Sequence, residues 1–294
     1  MGMGRDVYES YPAARHIFEQ ADAILGRALS RLCFEGPETE LADTSNAQPA
    51  MLTTSVAILA ALQGRLQRRL APAFVAGHST GEYTAFFAAG ALDFPSALRL
   101  ICERGRLMQE AGDKQSGTMA AVLGLEAATL QAICAEVGNV WVANDNAPGQ
   151  IVLSGGKAEL ERALQLSLAK GAKRAIPLAV SIASHSPLMS SAAVSFARIV
   201  EEMPLNRVVV PVVANVSASA ISEAEDIRRE LVQQITSPVR WVESVRYMVA
   251  QGVQTFLEIG PRNVLGGLIR RIDGTAKALS ISSVTDIDVL EVGE

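Results

Sequence analysis

The tightest constraint on the fold is local. A short apolar run, Ala73-Phe74-Val75-Ala76, stops at Gly77, and after a few polar residues a second run, Tyr83-Thr84-Ala85-Phe86-Phe87-Ala88-Ala89, continues to Gly90. The first has the length of a buried strand. The second is small and apolar all round, as a buried helix is, with Gly90 as its stop. Between them lies Gly77-His78-Ser79-Thr80-Gly81, a G-x-S-x-G pattern. A serine on so sharp a turn projects its hydroxyl from the sheet, and the two glycines are expected to let neighbouring backbone approach without Cβ clashes. The following helix aims its N-terminus, and the Thr80 N–H, at an oxygen that turns negative when the serine attacks a carbonyl.

Apolar periodicity extends this unit in both directions. Helices are expected near 11–26, 49–68 and 96–111, and the order β-α-β-β-α-β follows over 115–183, a split βαβ arrangement. Its strands are read at 119–124, 141–143, 150–154 and 175–180, with a turn at Ala147-Pro148-Gly149. Beyond it come a helix over 187–203, a strand at 208–214, helices near 223–236 and 241–250, and a strand at 255–259. The expected fold class is α/β, with a mostly parallel sheet in a large unit formed by 1–114 and 184–294 and a small inserted unit at 115–183.

Composition excludes several functions. The 294 residues carry a net charge of −5 with Lys and Arg scattered, which gives no footprint for binding nucleic acid. No stretch reaches the ~18 apolar residues of a membrane span, and Arg5, Asp6 and Glu9 interrupt any signal-peptide core, so a cytoplasmic protein is expected. Cys33, Cys102 and Cys134 are widely spaced, with neither C-x-x-C nor a paired histidine, and are read as small buried hydrophobes rather than disulfide or zinc ligands.

A serine nucleophile needs a base, and the chain has three histidines. His16 lies in a charged amphipathic helix, and strand alternation turns His78 away from Ser79. His185, in the loop Ser184-His185-Ser186-Pro187, remains. Arg104 supplies a clue to the substrate. On its helix Arg99, Glu103, Arg106 and Glu110 share one side, while Arg104 falls among Ala97, Leu100, Ile101, Leu107 and Met108. A buried guanidinium requires an anion, either a protein carboxylate or one on a ligand. In the second case nucleophile, base and carboxylate clamp describe transfer of an acyl group bearing a free acid, a description that malonyl fits.

At this point the chain resembles the malonyl-CoA:acyl carrier protein transacylase family along nearly its whole length. The matching segments are Gly77 to Tyr83 (where Leu is commoner than Thr80), Arg104-Gly105-Arg106-Leu107-Met108-Gln109, Asn146-Ala147-Pro148-Gly149-Gln150, Ser184-His185-Ser186, Ser237-Pro238-Val239-Arg240-Trp241 and Glu258-Ile259-Gly260-Pro261. Arg104 and His185 follow Ser79 by 25 and 106 residues, close to the family's intervals.

The resemblance implies Ser79 as acylated nucleophile, His185 as base, Arg104 as clamp on the malonyl carboxylate with Met108 beside it, Gln234 as donor of a backbone carbonyl that orients the imidazole, and His78 and Asn146 in support. It implies an α/β-hydrolase-like core with a ferredoxin-like subdomain at 115–183. It also implies a monomer with no metal or redox cofactor, taking malonyl-CoA and an acyl carrier protein in fatty acid or polyketide synthesis. Family members usually begin with a strand running into Gly-Gln-Gly-Ser-Gln, whose last residue supplies a second oxyanion N–H. The sequence starts after that segment at Gly2-Met3-Gly4, so a chain complete as written is expected to turn over poorly. Landing sites for an acidic carrier protein are expected among Arg68-Arg69, Lys173-Arg174 and Arg270-Arg271. The alternatives are a serine hydrolase or thioesterase using Asp113 or Asp145 as its acid, and a non-catalytic acyltransferase-like subunit.

Overall fold

The computed structural model describes residues 2–290, which form a mixed α/β fold. Met1 and 291–294, the ends of the expected large unit, lie outside the described residues. Helices come first: α1 (Arg5–Ser10), α2 (Pro12–Leu25), α3 (Leu29–Glu35), α4 (Glu38–Ala42) and the long α5 (Thr44–Leu66). Strand β1 (Val75–Ala76) and helix α6 (Gly81–Ala89) flank the G-x-S-x-G turn, and α7 (Phe94–Lys114) follows. Then come β2 (Gly117–Leu123), α8 (Ala127–Val137), β3 (Val140–Ala147), β4 (Gln150–Gly156), α9 (Lys157–Ala169) and β5 (Arg174–Pro177). A 3-10 turn at Pro187–Met189 leads into α10 (Ser190–Glu201), β6 (Val212–Val213), β7 (Ala220–Ile221), α11 (Ala224–Gln233) and α12 (Trp241–Ala250). The chain closes with β8 (Thr255–Ile259), α13 (Leu265–Ile272), β9 (Lys277–Ile281) and α14 (Val284–Val289).

Helix α7 shows how sequence pattern becomes position. Asp93 caps it by accepting the Ser96 N–H at 2.8 Å, and Pro95 fits its first turn, where no intrahelical N–H is missed. Arg106 pairs with Glu103 and Glu110 on the exposed side. Such i,i+3 and i,i+4 pairs contribute only a few tenths of a kcal/mol each, so the helix is held by its buried face of Leu98, Leu100, Ile101 and Met108 packed against α2, α5 and α10. At Gly105 a Cβ would stand 3.0 Å from the Thr44 carbonyl oxygen. The absence of a side chain there lets the start of α5 lie against α7, which carries Gln48 to Arg104.

The sheets are smaller than expected. β1 pairs parallel with β6, β6 pairs antiparallel with β7, and β8 pairs parallel with β9 in a separate ladder. The expected strand over 208–214 is reduced to Val212–Val213 because Pro211 has no N–H for the ladder; its carbonyl still accepts the Val75 N–H at 3.0 Å. The four strands of the 117–177 segment form one antiparallel sheet in the order β3-β4-β2-β5. Helices α8 and α9 bury Leu130, Ile133 and Leu160 on its Val122 and Leu153 face. The pattern shows the β-α-β-β-α-β segment clearly, but nothing is assigned from it beyond Pro261, where α13, β9 and α14 lie. Among the described residues no helix is long and apolar enough to cross a membrane.

Among the contacts that tie the four-stranded sheet to the rest, two are close backbone joints. Val239 and Asn144 form a parallel bridge, with the Asp145 N–H on the Val239 carbonyl at 3.0 Å and the Val239 N–H on the Ala143 carbonyl at 2.8 Å. In the loop after β5, Ile182 lies against Gly112 of α7, where a Cβ would be 2.3 Å from Ile182 Cγ2. We expect Gly112→Ala to push Ile182 and the loop behind it off the helix, at a cost of about 1–3 kcal/mol in urea unfolding; an unchanged midpoint would mean that the loop is not held there.

Candidate active site

The site is built where β1 and β6 end side by side, the place at which an open α/β sheet receives ligands. Leaving β1, the chain turns so sharply that Ser79 takes φ = 52°, a left-handed conformation that costs a β-carbon-bearing residue energy and is held here by its surroundings. A Cβ at Gly77 would lie 2.0 Å from the Gly81 carbonyl oxygen, so the turn requires glycine there. Gly81 is different: a Cβ would meet nothing within 4 Å. The expectation of two glycines serving close approach thus applies to Gly77 alone.

Asn215, which follows β6, holds the turn from the side. Its Oδ1 accepts the Ser79 N–H at 2.8 Å, and its Nδ2 donates to the Gly77 carbonyl at 2.6 Å. The Thr80 N–H has no protein acceptor among the described residues, and it opens α6 beside the serine hydroxyl.

His185 enters on the loop between β5 and α10, also with positive φ at 58°. Its Nε2 is 2.8 Å from Ser79 Oγ. Its Nδ1 faces two carbonyl oxygens, Gln234 at 2.8 Å and Ser237 at 3.2 Å. Carbonyls only accept, so Nδ1 carries the hydrogen and Nε2 offers its lone pair to the serine O–H. Burial, and then the Arg104 cation, push His185 down to about 3, which keeps the ring neutral at rest.

Arg104 is 1% exposed, yet no carboxylate among the described residues pairs with it. Its contacts are neutral oxygens: Nη1 to Gln48 Oε1 at 2.6 Å, and Nη2 to Gln234 Oε1 at 2.8 Å and Ser79 Oγ at 3.2 Å. Its Nε has no partner among the described residues, and the group stands 5.7 Å from the Tyr83 ring. Of the two anions that its place on the helix left open, the protein carboxylate is not in contact. Gln48 also reaches Met108, whose sulfur lies 4.0 Å from Nε2.

The remaining candidates divide. His78 turns away from Ser79 to Asn146, with Nε2 2.7 Å from Oδ1, and shifts of register in β3 aim Asn146 at it. Asp113 accepts from Gln109 at 2.9 Å, and neither Asp113 nor Asp145 is hydrogen-bonded to His185. Glu258 serves a helix instead of the site, accepting the N–H groups of Val264, Leu265 and Gly266 at 2.8–2.9 Å at the start of α13. Lys173 and Arg271 line one shared hollow beside Pro148 and Gly149. Cys33 and Cys134 are buried and Cys102 is half-buried, all three as free thiols.

Sequence reasoning missed Gln48, Asn215, Glu82 and Glu230. The clue for Asn215 is its place after Val212-Val213-Ala214 at a parallel strand end. Glu82 stands in the matching Gly77 to Tyr83 segment, but nothing there assigns it a role, and Glu230 carries no mark at all, since an acid in a helix usually faces solvent.

A family model, the acyl transferase domain, matches residues 1–286. A malonyl CoA-acyl carrier protein transacylase of Bacillus subtilis (strain 168) is 44% identical over 98% of this chain and 92% of its own length. Among solved structures, an acyl carrier protein S-malonyltransferase from Vibrio cholerae O1 biovar eltor superposes with a TM-score of 0.95 at 40% identity, covering 99% of this chain and 95% of that one. A malonyl-transacylase in complex with a type II PKS acyl-carrier protein gives 0.94 at 42% identity, covering 98% and 94%.

The two glycines of the turn are expected to respond oppositely. Gly77→Ala should lower stability by at least about 1–3 kcal/mol, read as a drop in thermal midpoint, whereas Gly81→Ala should leave the midpoint within about 0.5 kcal/mol of the parent.

Proposed function

Because the chain belongs to the malonyl CoA-acyl carrier protein transacylase family, we propose that Ser79 is its nucleophile, His185 its base and Arg104 its carboxylate clamp. The enzyme is an acyltransferase that moves malonyl from coenzyme A to the thiol of acyl carrier protein. One observation carries the assignment of residues. A buried guanidinium, a neutral imidazole and a serine hydroxyl meet at 2.8–3.2 Å with no carboxylate on the guanidinium.

In the forward half-reaction His185 Nε2 takes the Ser79 proton as Oγ bonds to the thioester carbonyl carbon. The tetrahedral oxyanion is received by the Thr80 N–H at the start of α6. Collapse breaks the carbon–sulfur bond, coenzyme A leaves as thiol with the proton from His185, and malonyl-serine remains. The carrier's thiol then attacks the same carbonyl, giving its proton to His185, which returns it to Ser79. The exchange is redox-neutral: the first half trades a carbon–sulfur bond for a carbon–oxygen bond, and the second reverses it.

Arg104 lies where it can grip the far carboxylate. Doing so neutralises the charge that depresses His185, so substrate binding strengthens the base that it needs. A backbone carbonyl suffices to orient His185, which takes the place of the acid that a hydrolase reading requires. The order β3-β4-β2-β5 supports reading the small sheet as ferredoxin-like, with 115–183 as an insertion, and the parallel β1/β6 pair supports a hydrolase-like core around it. We place the carrier protein near Lys173 and Arg271, two cations sharing one hollow.

Mixing with malonyl-CoA is expected to add one malonyl to the intact mass, and Ser79→Ala to add none. Arg104→Ala should cut malonyl transfer by at least about a hundredfold while acetyl transfer falls much less; equal losses would remove the clamp. The acid limb of kcat/KM should lie well below the ~6.5 of a free imidazole, since protonation of His185 disables the base and burial resists it. In Arg104→Ala, followed with acetyl-CoA, that limb should move to higher pH because a cation opposing protonation is gone.

A further inference from the structure

Glu82 lies in the first turn of α6, three residues after Ser79, and is completely buried. Its Oε1 accepts the Asn215 N–H at 2.8 Å, and its Oε2 accepts from Gln234 Nε2. The Gln234 amide is thereby oriented. Its nitrogen faces Glu82 and the Ser79 carbonyl, the latter at 3.1 Å, and its oxygen faces Arg104 Nη2 at 2.8 Å. A guanidinium only donates, so a flipped amide would set N–H against N–H at Arg104 and oxygen against oxygen at Glu82.

We infer that Glu82 is a positioning residue for acyl selectivity: by holding the Gln234 amide with its oxygen toward Arg104, it fixes the guanidinium in the pose that receives a carboxylate. The inference rests on the reading of Arg104 as a clamp. Placing the acid one amide away has a chemical logic. A carboxylate directly on Arg104 would occupy the fork that the acyl carboxylate needs, whereas an amide oxygen holds the group and leaves its charge uncompensated.

Glu230, whose Oε1 accepts the Val216 N–H at 2.9 Å, is the nearby acid. Burial and the charge of Glu230 hold Glu82 well above the usual carboxylate range. The present contacts are satisfied whether or not the carboxyl is protonated, because each of its oxygens keeps a lone pair for its donor; in the protonated form Arg104, which only donates, is what opposes a flipped amide. A glutamine at this position cannot do the same. Its NH2 accepts nothing, so either Asn215 or Gln234 loses an acceptor.

The test compares initial rates of Ser79 acylation from malonyl-CoA and acetyl-CoA by intact mass, in the full chain. The malonyl-to-acetyl ratio is expected to fall about tenfold or more in Glu82→Gln. It should fall similarly in Gln234→Met, which removes the amide but keeps the backbone carbonyl on His185. In the double variant Glu82→Gln/Arg104→Ala the ratio should fall no further than in Arg104→Ala, since Glu82 acts through Arg104.

A merely structural role would lower both rates together and leave the ratio alone. An unchanged ratio in Glu82→Gln overturns the proposal whatever Gln234→Met does. If Glu82→Gln does not fold, an unchanged ratio in Gln234→Met overturns it equally. These outcomes are separate from failure of the clamp, which appears as an unchanged ratio in Arg104→Ala itself.

Discussion

A positive charge taken out of water must be met by oxygen, and the way Arg104 is met organises the whole site. Gln48 from α5 and Gln234 from the end of α11 supply neutral oxygens, and the serine hydroxyl supplies a third. Neutral partners meet both terminal nitrogens without cancelling the charge. The cluster therefore keeps an electrostatic demand for an anion, and Nε is left without a partner among the described residues. On the proposed reading of Arg104 as a clamp, selectivity for an acyl group with a free acid follows from that imbalance, because an uncharged acyl chain leaves it standing.

The same economy governs the nucleophile. Ser79 is held from its backbone by Asn215 on one side and the Gln234 side chain on the other, while its hydroxyl is left for His185 and Arg104. Gln234 does double duty: its side chain holds Arg104, and its main-chain carbonyl holds His185. The proposed clamp and base thus share one partner.

Features that depend on local pattern were legible in the sequence. The G-x-S-x-G turn between two apolar runs, Arg104 inside the apolar arc of α7, and the β-α-β-β-α-β segment each leave a periodic or positional mark. What escaped reading depends on distant partners. Gln48, Asn215 and Glu82 come from separate elements, and a glutamine, an asparagine and an acid on a helix look like ordinary polar residues until their burial is known. The breadth of the parallel sheet was overread for a related reason. Val208 to Ala214 has the composition of a strand, but Pro211 and an exposed Val209 restrict pairing to its last residues. Beyond Pro261 the short alternations of β9 were too brief to separate from loop.

His185 arrives from a segment 106 residues beyond the serine, and the carbonyls that orient it come 49 and 52 residues later still. In a chain made from its N-terminus, Ser79 therefore remains an ordinary alcohol until synthesis and packing have passed Ser237. A chain that ends before Asn215 lacks the Asn215 and Gln234 contacts that hold the bend and the carbonyls that orient the imidazole, so it has no aligned pair with which to waste thioester on water.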